Sequence, residues 1–311
     1  MNNNMEDIKI YRNIGFTNPV MIAGWPGMGS VALGAVDYLQ KKLKAYKFAE
    51  IKVDPMSTLD SIVVDNGIAS MPAAPQNVFY YTRDPELIIF KGEAQLPAPG
   101  GIELLKKVVD LAVRFRVSRI YTGAAFPFPV SHKEVPHIYG AVNNKLLLEV
   151  ISSFGTSPME GGHISGLNGL LLGFAQKAGI DAICLLATMP QYAISLPNPK
   201  ASAAIIDVLQ RILKFKLDMK EMDEYIKEMD EKMSLIEDRV KEVLPIDSPE
   251  LPGARHLNAE KPVPPYIVNK IEKLFGEAQK DKGKAIMLKE ELDRWDLYGL
   301  YEDRFLDLFK K

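Results

Sequence analysis

The chain has 311 residues, 47% of them hydrophobic and 25% charged, and a formal net charge of −2. This composition fits a globular protein with room for one large domain and an appendage. It offers no broad electrostatic attraction to nucleic acid or to an anionic membrane, which excludes the strongly basic binding classes. A single cysteine, Cys184, rules out an internal disulfide framework, and its place in the apolar run AICLLA marks a buried thiol. No apolar stretch approaches the roughly 20 residues that cross a bilayer, and MNNNMEDIKIYRN lacks the basic-then-apolar plan of a leader. The expectation is a cytoplasmic protein.

Up to about Ile194 short β-rich runs alternate with helical ones. PVMIA (19–23) reads as a strand, and residues 30–44 as a helix with Ala32, Val36, Leu39 and Leu43 on one face. FAEIKV (48–53), IVVD (62–65), NVFYYT (77–82) and ELIIFKGE (86–93) are further strands. The last three have no helix between them, which predicts an antiparallel meander or an insertion beside the main sheet. GIELLKKVVDLAVRFRV (101–117) is an amphipathic helix, followed by the strand SRIYTGAA (118–125). A short strand HIYGAVNN (137–144) and a helix KLLLEVISSF (145–154) come next. GLNGLLLGFAQKAGI (166–180) is a helix closed by Gly179, and DAICLLAT (181–188) a strand apolar enough to be buried on both faces. Alternation of this kind predicts an α/β domain with a largely parallel sheet covered by helices on both sides.

The pattern changes after LPNPKAS. Ile205, Val208, Ile212, Phe215, Met219, Met222, Ile226, Met229, Met233, Ile236, Val240 and Val243 recur at alternating spacings of three and four, a sustained heptad seam that calls for helix-on-helix packing. Asp218 and Glu221 form a capping box that starts a new helix near Met219. The seam packs either on the chain's own body or on another chain; the spacing does not choose between them. PIDSPELPGARHLNAEKPVPP (245–265) reads as a linker, followed by helices at 266–280 and 285–309, the second interrupted near Gly299. The expected division is an α/β core (1–217), a heptad-patterned helix (218–244), a proline-rich linker (245–265) and a helical tail (266–311) carrying Trp295, Tyr301, Phe305 and Phe309.

Chemistry is sparse. The four histidines, His132, His137, His163 and His256, form no metal-ligand pair at helical spacing. His132, Glu134 and His137 are better read as a polar loop than as a ligand cluster. No cofactor or metal is expected. GWPGMGSVA (24–32) formally matches G-x-G-x-x-A between a strand and a helix, a context in which backbone amides can hold an anion. Trp25-Pro26, however, puts a bulky, rigid pair where a pyrophosphate would approach, and Asp54 comes late for the ribose contact. A tight turn without ligand is the leading reading. A second glycine cluster, EGGHISGLNG (160–169), also precedes a helix. Both clusters, with the loops at Gly123 and Thr188, should meet at the carboxyl edge of the sheet. Gly27, Gly29, Ser30, Gly161, Gly162 and His163 are the ligand-binding candidates there.

GWPGMGSVA, GEAQLP (92–97), GGHISGLNGLLLGFAQKAGIDAICLLATMPQY (161–192) and PNPKASAAIIDVLQRIL (197–213) resemble the proteasome assembly chaperone family in its archaeal and bacterial branch. The resemblance spans roughly residues 15–244. It implies a nucleoside-phosphorylase-like α/β sandwich with a mostly parallel mixed sheet, no catalytic reaction, self-association, and a protein partner such as proteasome α-subunits or a paralogous chaperone. It also implies a carboxyl-terminal hydrophobic–Tyr–any tripeptide in some members. This sequence ends Phe309-Lys310-Lys311, with lysine where tyrosine should stand, and Leu300-Tyr301-Glu302 is internal. The partner-binding candidates are Met222, Ile226, Met229, Met233 and Ile236 on the seam and Trp295, Tyr301, Phe305 and Phe309 in the tail. The alternative function is a nucleotide-, nucleoside- or phosphate-binding protein or enzyme using the glycine loops.

Overall fold

In the computed structural model the described residues are 7–53, 62–243, 265–280, 284–294 and 297–308. They fall into two compact units, residues 1–235 and 236–311. The first unit is built on a sheet whose strands run β1 (Ile8–Ile10), β2 (Val20–Gly24), β3 (Tyr46–Ile51), β6 (Asn77–Arg83), β7 (Glu86–Gly92), β8 (Arg119–Phe128), β9 (Ile138–Val142), β10 (Ser157–Pro158) and β11 (Asp181–Pro190). Two more strands, β4 (Val63–Asp65) and β5 (Ile68–Ser70), stand apart as a hairpin.

The spatial order is β1-β3-β6-β7-β2-β8-β11-β9-β10. Strands β7, β2, β8 and β11 are mutually parallel and form the centre, with β11 matched to β8 from Asp181↔Arg119 to Pro190↔Phe128. Antiparallel strands extend it on both sides: β6, β3 and β1 beyond β7, and β9 beyond β11. The meander and the insertion expected between 62 and 93 are therefore both present. Strands β6 and β7 form the meander within the main sheet, and β4–β5 is the insertion.

Side-chain alternation sorts the core into two layers. Met21 and Ala23 of β2 and Ile88 and Phe90 of β7 face one side, where α2 (Gly100–Arg114) supplies Leu104, Leu105, Val108 and Leu111 and α4 (Gly166–Lys177) supplies Leu171 and Ala175. Ile22 and Ile89 face the other side, against Val31, Val36 and Leu39 of α1 (Val31–Lys42) and Ile205, Ile206 and Leu209 of α5 (Pro199–Leu213). A small helix α3 (Leu147–Ser152) adds Leu147 and Ile151 to this second layer. The result is a three-layer sandwich. Both layers follow from sequence that is apolar at a period of two in the strands and 3.6 in the helices.

The strands β8 and β11 outrun their expected ends. Gly123 and Thr188 lie inside them, so they are not edge loops. Gly123 permits close packing instead: a Cβ there would stand 3.0 Å from Ile205 Cδ1.

Helix α6 spans Lys220–Val243 and crosses the boundary between the units. Asp218 Oδ1 accepts the Lys220 amide at 3.1 Å, the Asp218 half of the expected capping box, while the Glu221 carboxylate pairs with Lys42. The second unit contains α7 (Pro265–Lys280), α8 (Ala285–Arg294) and α9 (Tyr298–Asp307) around its own core of Ile271, Phe275, Leu288, Leu292, Tyr301 and Phe305. The break in the terminal helical stretch precedes Gly299, which lies within α9. It comes where the Leu297 amide donates to Leu292 O at 2.8 Å and buries its side chain, a closing arrangement of the kind that ends helices. Of the expected linker 245–265, residues 245–264 lie outside the described residues and Pro265 opens α7.

Candidate functional site

The carboxyl ends of the parallel strands bring the two glycine clusters together, joined through Asn168 and Gln95. Gly29 has φ +63°, a left-handed conformation that suits a residue without Cβ. Its amide donates to Ile194 O at 2.8 Å, and its carbonyl accepts the Asn198 amide at 2.7 Å. The Ser30 amide donates to Gly27 O at 2.9 Å. Two of the backbone donors in the turn before α1, the Gly29 and Ser30 amides, are thus engaged by the chain itself. A Cβ on Gly29 would sit 2.8 Å from Met189 Sδ. The turn is tight because the 194–198 segment is laid directly across it.

Trp25 does not stand in the approach to the turn as its bulk led us to expect. It turns inward, is fully buried, and packs on Phe90 with ring centroids 4.8 Å apart. Asn168, in the first turn of α4, holds the backbone beside it. Its Oδ1 accepts the Trp25 amide at 3.0 Å and its Nδ2 donates to Trp25 O at 3.2 Å. Thr122 adds its hydroxyl to Asn168 Oδ1 at 3.3 Å. Gln95 makes a parallel tie: its Nε2 donates to Pro26 O at 2.6 Å and its Oε1 accepts the Leu167 amide at 2.9 Å. The sequence reading missed both residues, although each lies in a quoted segment, GLNG or GEAQLP. Their signal was an amide side chain beside a glycine turn, which nothing distinguishes from a surface polar residue until its partners are known.

Of the second cluster, Gly162 and His163 are exposed and Gly161 is half-buried. Asn168 and the Leu167 amide are the points at which the neighbourhood of that cluster meets the first turn. Asp54 lies outside the described residues. His132 is buried with Nδ1 3.2 Å from the Tyr192 hydroxyl, while His137 Nε2 lies 2.9 Å from Ser157 Oγ. The two rings serve different elements. Burial pushes the Cys184 thiol up to about 12, so it is held as a thiol and not as a nucleophilic thiolate.

The heptad seam is covered by its own chain over its first half. Met222 joins the α1/α5 layer, with Ile226 packed beside it. Met229 and Met233 are 4% and 2% exposed and close over Ala193, flanked by Tyr192 and Leu196. Polar ties fix the same face: Tyr38 donates to Asp218 O at 2.7 Å, Lys42 meets Glu221 at 2.6 Å and Lys200 meets Asp230 at 2.7 Å. Of the seam residues expected to meet a partner, Met222, Met229 and Met233 are buried and Ile226 is half-buried. The cause is the short 214–219 connection, which opens with left-handed Lys214 and folds α6 back onto the body. Ile236 is half-buried. Tyr301 and Phe305 belong to the buried core of the second unit. Trp295 and Phe309 lie outside the described residues.

The β4–β5 hairpin, read from the sequence only as a strand in a meander or an insertion, is a strongly exposed apolar element among the described residues. In the β4–β5 hairpin Val63, Val64 and Ile68 are 49%, 62% and 72% exposed, and flanking Ile62 and Met71 are exposed as well. Asn66 and Gly67 make its turn with φ of 48° and 79°, the pairing favoured in two-residue hairpins. None of its residues belongs to either core cluster of the first unit.

A family model described as the PAC2 family matches residues 21–237. The chain belongs to the PAC2 family. The matched region takes in both glycine clusters, the hairpin and most of α6, and α7 to α9 lie beyond it. Among solved PAC2-like structures, Pyrococcus furiosus PbaB, titled an archaeal proteasome activator, is 29% identical with a TM-score of 0.63, covering 74% of this chain and 98% of its own. PbaA of the same organism, titled an archaeal homolog of proteasome-assembly chaperone, shares the fold at 20% identity and a TM-score of 0.59, covering 76% of this chain and 99% of its own. The uncharacterized protein MJ1210 of Methanocaldococcus jannaschii is 29% identical over 233 residues, which are 73% of this chain and 86% of that protein.

Proposed function

We propose that this chain is a non-catalytic, proteasome-related assembly or activation factor that self-associates in the cytoplasm and acts by presenting surfaces to protein partners. The observation that carries this reading is the 29% identity to PbaB across 98% of that activator's chain. The chemistry of the carboxyl edge agrees with it, because the backbone donors of the glycine turn are engaged by the 194–198 segment and by the turn itself. The partners are further copies of the chain and proteasome α-subunits or a paralogous chaperone.

The contact surface is better sought at the hairpin than along the first half of the seam. A two-stranded hairpin alone is marginally stable in water, and one with unpaired edges and exposed Val and Ile is suited to pairing with another chain. Native mass spectrometry of the purified chain, alone and with proteasome core particles or isolated α-subunits, tests the reading. The expected result is a homo-oligomer and a complex. Val64→Asp and Ile68→Asp weaken the complex while leaving the melting temperature nearly unchanged, since both side chains are already in water. A monomer that binds neither itself nor proteasome subunits would overturn the proposal.

A further inference from the structure

The sequence joins Asn to Gly twice, at Asn66-Gly67 and at Asn168-Gly169. The two pairs share one latent chemistry. An Asn carboxamide carbon lies within bonding reach of the next residue's backbone nitrogen, and a Gly there has no Cβ to shield that nitrogen. Reaction then depends on whether backbone and side chain are free to rotate the two atoms together, and the structure sets the two sites oppositely.

Asn168 is only 5% exposed and lies in the first turn of α4. Its Oδ1 accepts the Trp25 amide at 3.0 Å and its Nδ2 donates to Trp25 O at 3.2 Å, so both ends of the carboxamide are held. Asn66 stands at the tip of the β4–β5 hairpin and is exposed, like every residue from Ile62 to Ser70. The last pair of the ladder is Asp65↔Ile68, which leaves Asn66 and Gly67 outside it. Among the described residues nothing lies within 4 Å of the place a Cβ on Gly67 would take. The hairpin is a two-stranded sheet of its own, an arrangement that is marginally stable in water. Its tip therefore opens at low cost and leaves the turn conformation often.

We propose that Asn66 is a site of spontaneous deamidation. The Gly67 nitrogen gives its proton to hydroxide and attacks Asn66 Cγ. As that N–C bond forms a cyclic imide, the Cγ–Nδ2 bond breaks, and Nδ2 leaves as ammonia with a proton taken from water, which restores the hydroxide. Water then opens the imide at either carbonyl to give aspartate or isoaspartate. The net change is water consumed and ammonia released, with no oxidant or enzyme required. Both products put a second carboxylate beside Asp65. Isoaspartate also adds a methylene to the main chain of a two-residue turn whose length sets the register of Val64 opposite Ala69. Resting on the reading of the hairpin as a contact surface, the reaction is a slow and irreversible loss of that surface.

The test incubates the full-length protein for days at mildly alkaline pH and follows tryptic peptides by mass spectrometry. The peptide carrying Asn66 should gain about 1 Da and divide into two products, with fragmentation placing the change on Asn66. The peptide carrying Asn168 should stay unmodified in the same sample. Gly67→Ala should slow the Asn66 reaction several-fold, because the added methyl shields the nitrogen. An Asn66 that stays intact, that reacts no faster than Asn168, or that reacts only in urea would overturn the inference. Should Gly67→Ala fail to fold, the comparison of the two Asn residues in the wild-type chain still decides it. Native mass spectrometry of fresh and aged chain with proteasome core particles keeps this inference apart from the functional reading. Binding by fresh chain and its loss on ageing supports both. Equal binding by fresh and aged chain would overturn the loss of contact alone, and a fresh chain that binds neither itself nor the particle would overturn the functional reading alone.

Discussion

Truncating Met229 and Met233 to alanine separates a seam closed by its own chain from one that joins two chains. Both side chains are nearly inaccessible and cover Ala193, Tyr192 and Leu196. Met→Ala in a core costs about 2–5 kcal/mol. This cluster is small and lies under a single helix that can settle, so the lower end, about 2 kcal/mol per site, is the fitting value. The loss should fall on the docking of α6 and leave the sheet intact, because the Met contacts end at the 191–196 segment. A change of about 2 kcal/mol corresponds to roughly 30-fold faster exchange of the α6 amides. Hydrogen–deuterium exchange read by mass spectrometry, at two protein concentrations ten-fold apart, measures this directly. Acceleration confined to α6 and its docking segment, equal at both concentrations, supports closure in cis. Unchanged exchange, or an acceleration that shrinks as protein concentration rises, would refute it, the second by showing that the methionines meet another copy.

Two further outcomes follow from single residues. Gly29→Ala places a Cβ on a residue with φ +63°, which costs about 1–2 kcal/mol from the backbone alone. The new Cβ also pushes on Met189 Sδ from 2.8 Å. A urea midpoint identical to wild type would refute the left-handed turn. In the second unit Arg304 makes a bidentate pair with Glu272 at 2.6 and 2.7 Å and lies 4.2 Å above the Phe275 ring. The Arg304 hydrogen bonds hold the Glu272 carboxyl below its ordinary range. The pair therefore stabilises the helices above the unfolded value of about 4.3 and loses that contribution as pH falls through the lower folded value. With both side chains 40% or more exposed the effect is small, well under about 1 kcal/mol. Glu272→Gln should flatten the acid limb of exchange protection in α7 and α9, and an unaltered acid limb would count against the pairing.

What could be read from the sequence was whatever one element states about itself. The strand DAICLLAT, the amphipathic helix after Pro99 and the cap before α6 each carry their own signal in period, composition or spacing, and each appears in place. Asn198 is similar in kind, since its Oδ1 accepts the Ala201 amide at 2.9 Å directly before Pro199 in the first turn of α5. What could not be read was which element covers which. The heptad seam fits a partner chain or the chain's own body equally well, and only the 214–219 fold-back decides it. Trp25 reads as an obstruction beside a glycine loop, whereas its burial depends on Gly92, 67 positions later, having no side chain to fill the same space. The Asn168 and Gln95 ties link residues 143 and 69 positions apart, beyond any local pattern.

The glycine clusters lie at the edge where α/β sheets commonly bind ligands. In α/β sheets the carboxyl edge binds ligands because backbone amides and helix starts there are left for something outside the chain. Here those groups are engaged from within: Ile194 O takes the Gly29 amide, Asn168 takes the Trp25 amide, and Gln95 takes the Leu167 amide at the start of α4. Each of these ties is made by a different segment, so together they fix the loops at the edge relative to one another. An edge held in this way makes a poor lid, but a firm base from which an inserted hairpin can project its valines and isoleucine. The tied edge and the exposed hairpin together fit the contact role proposed above.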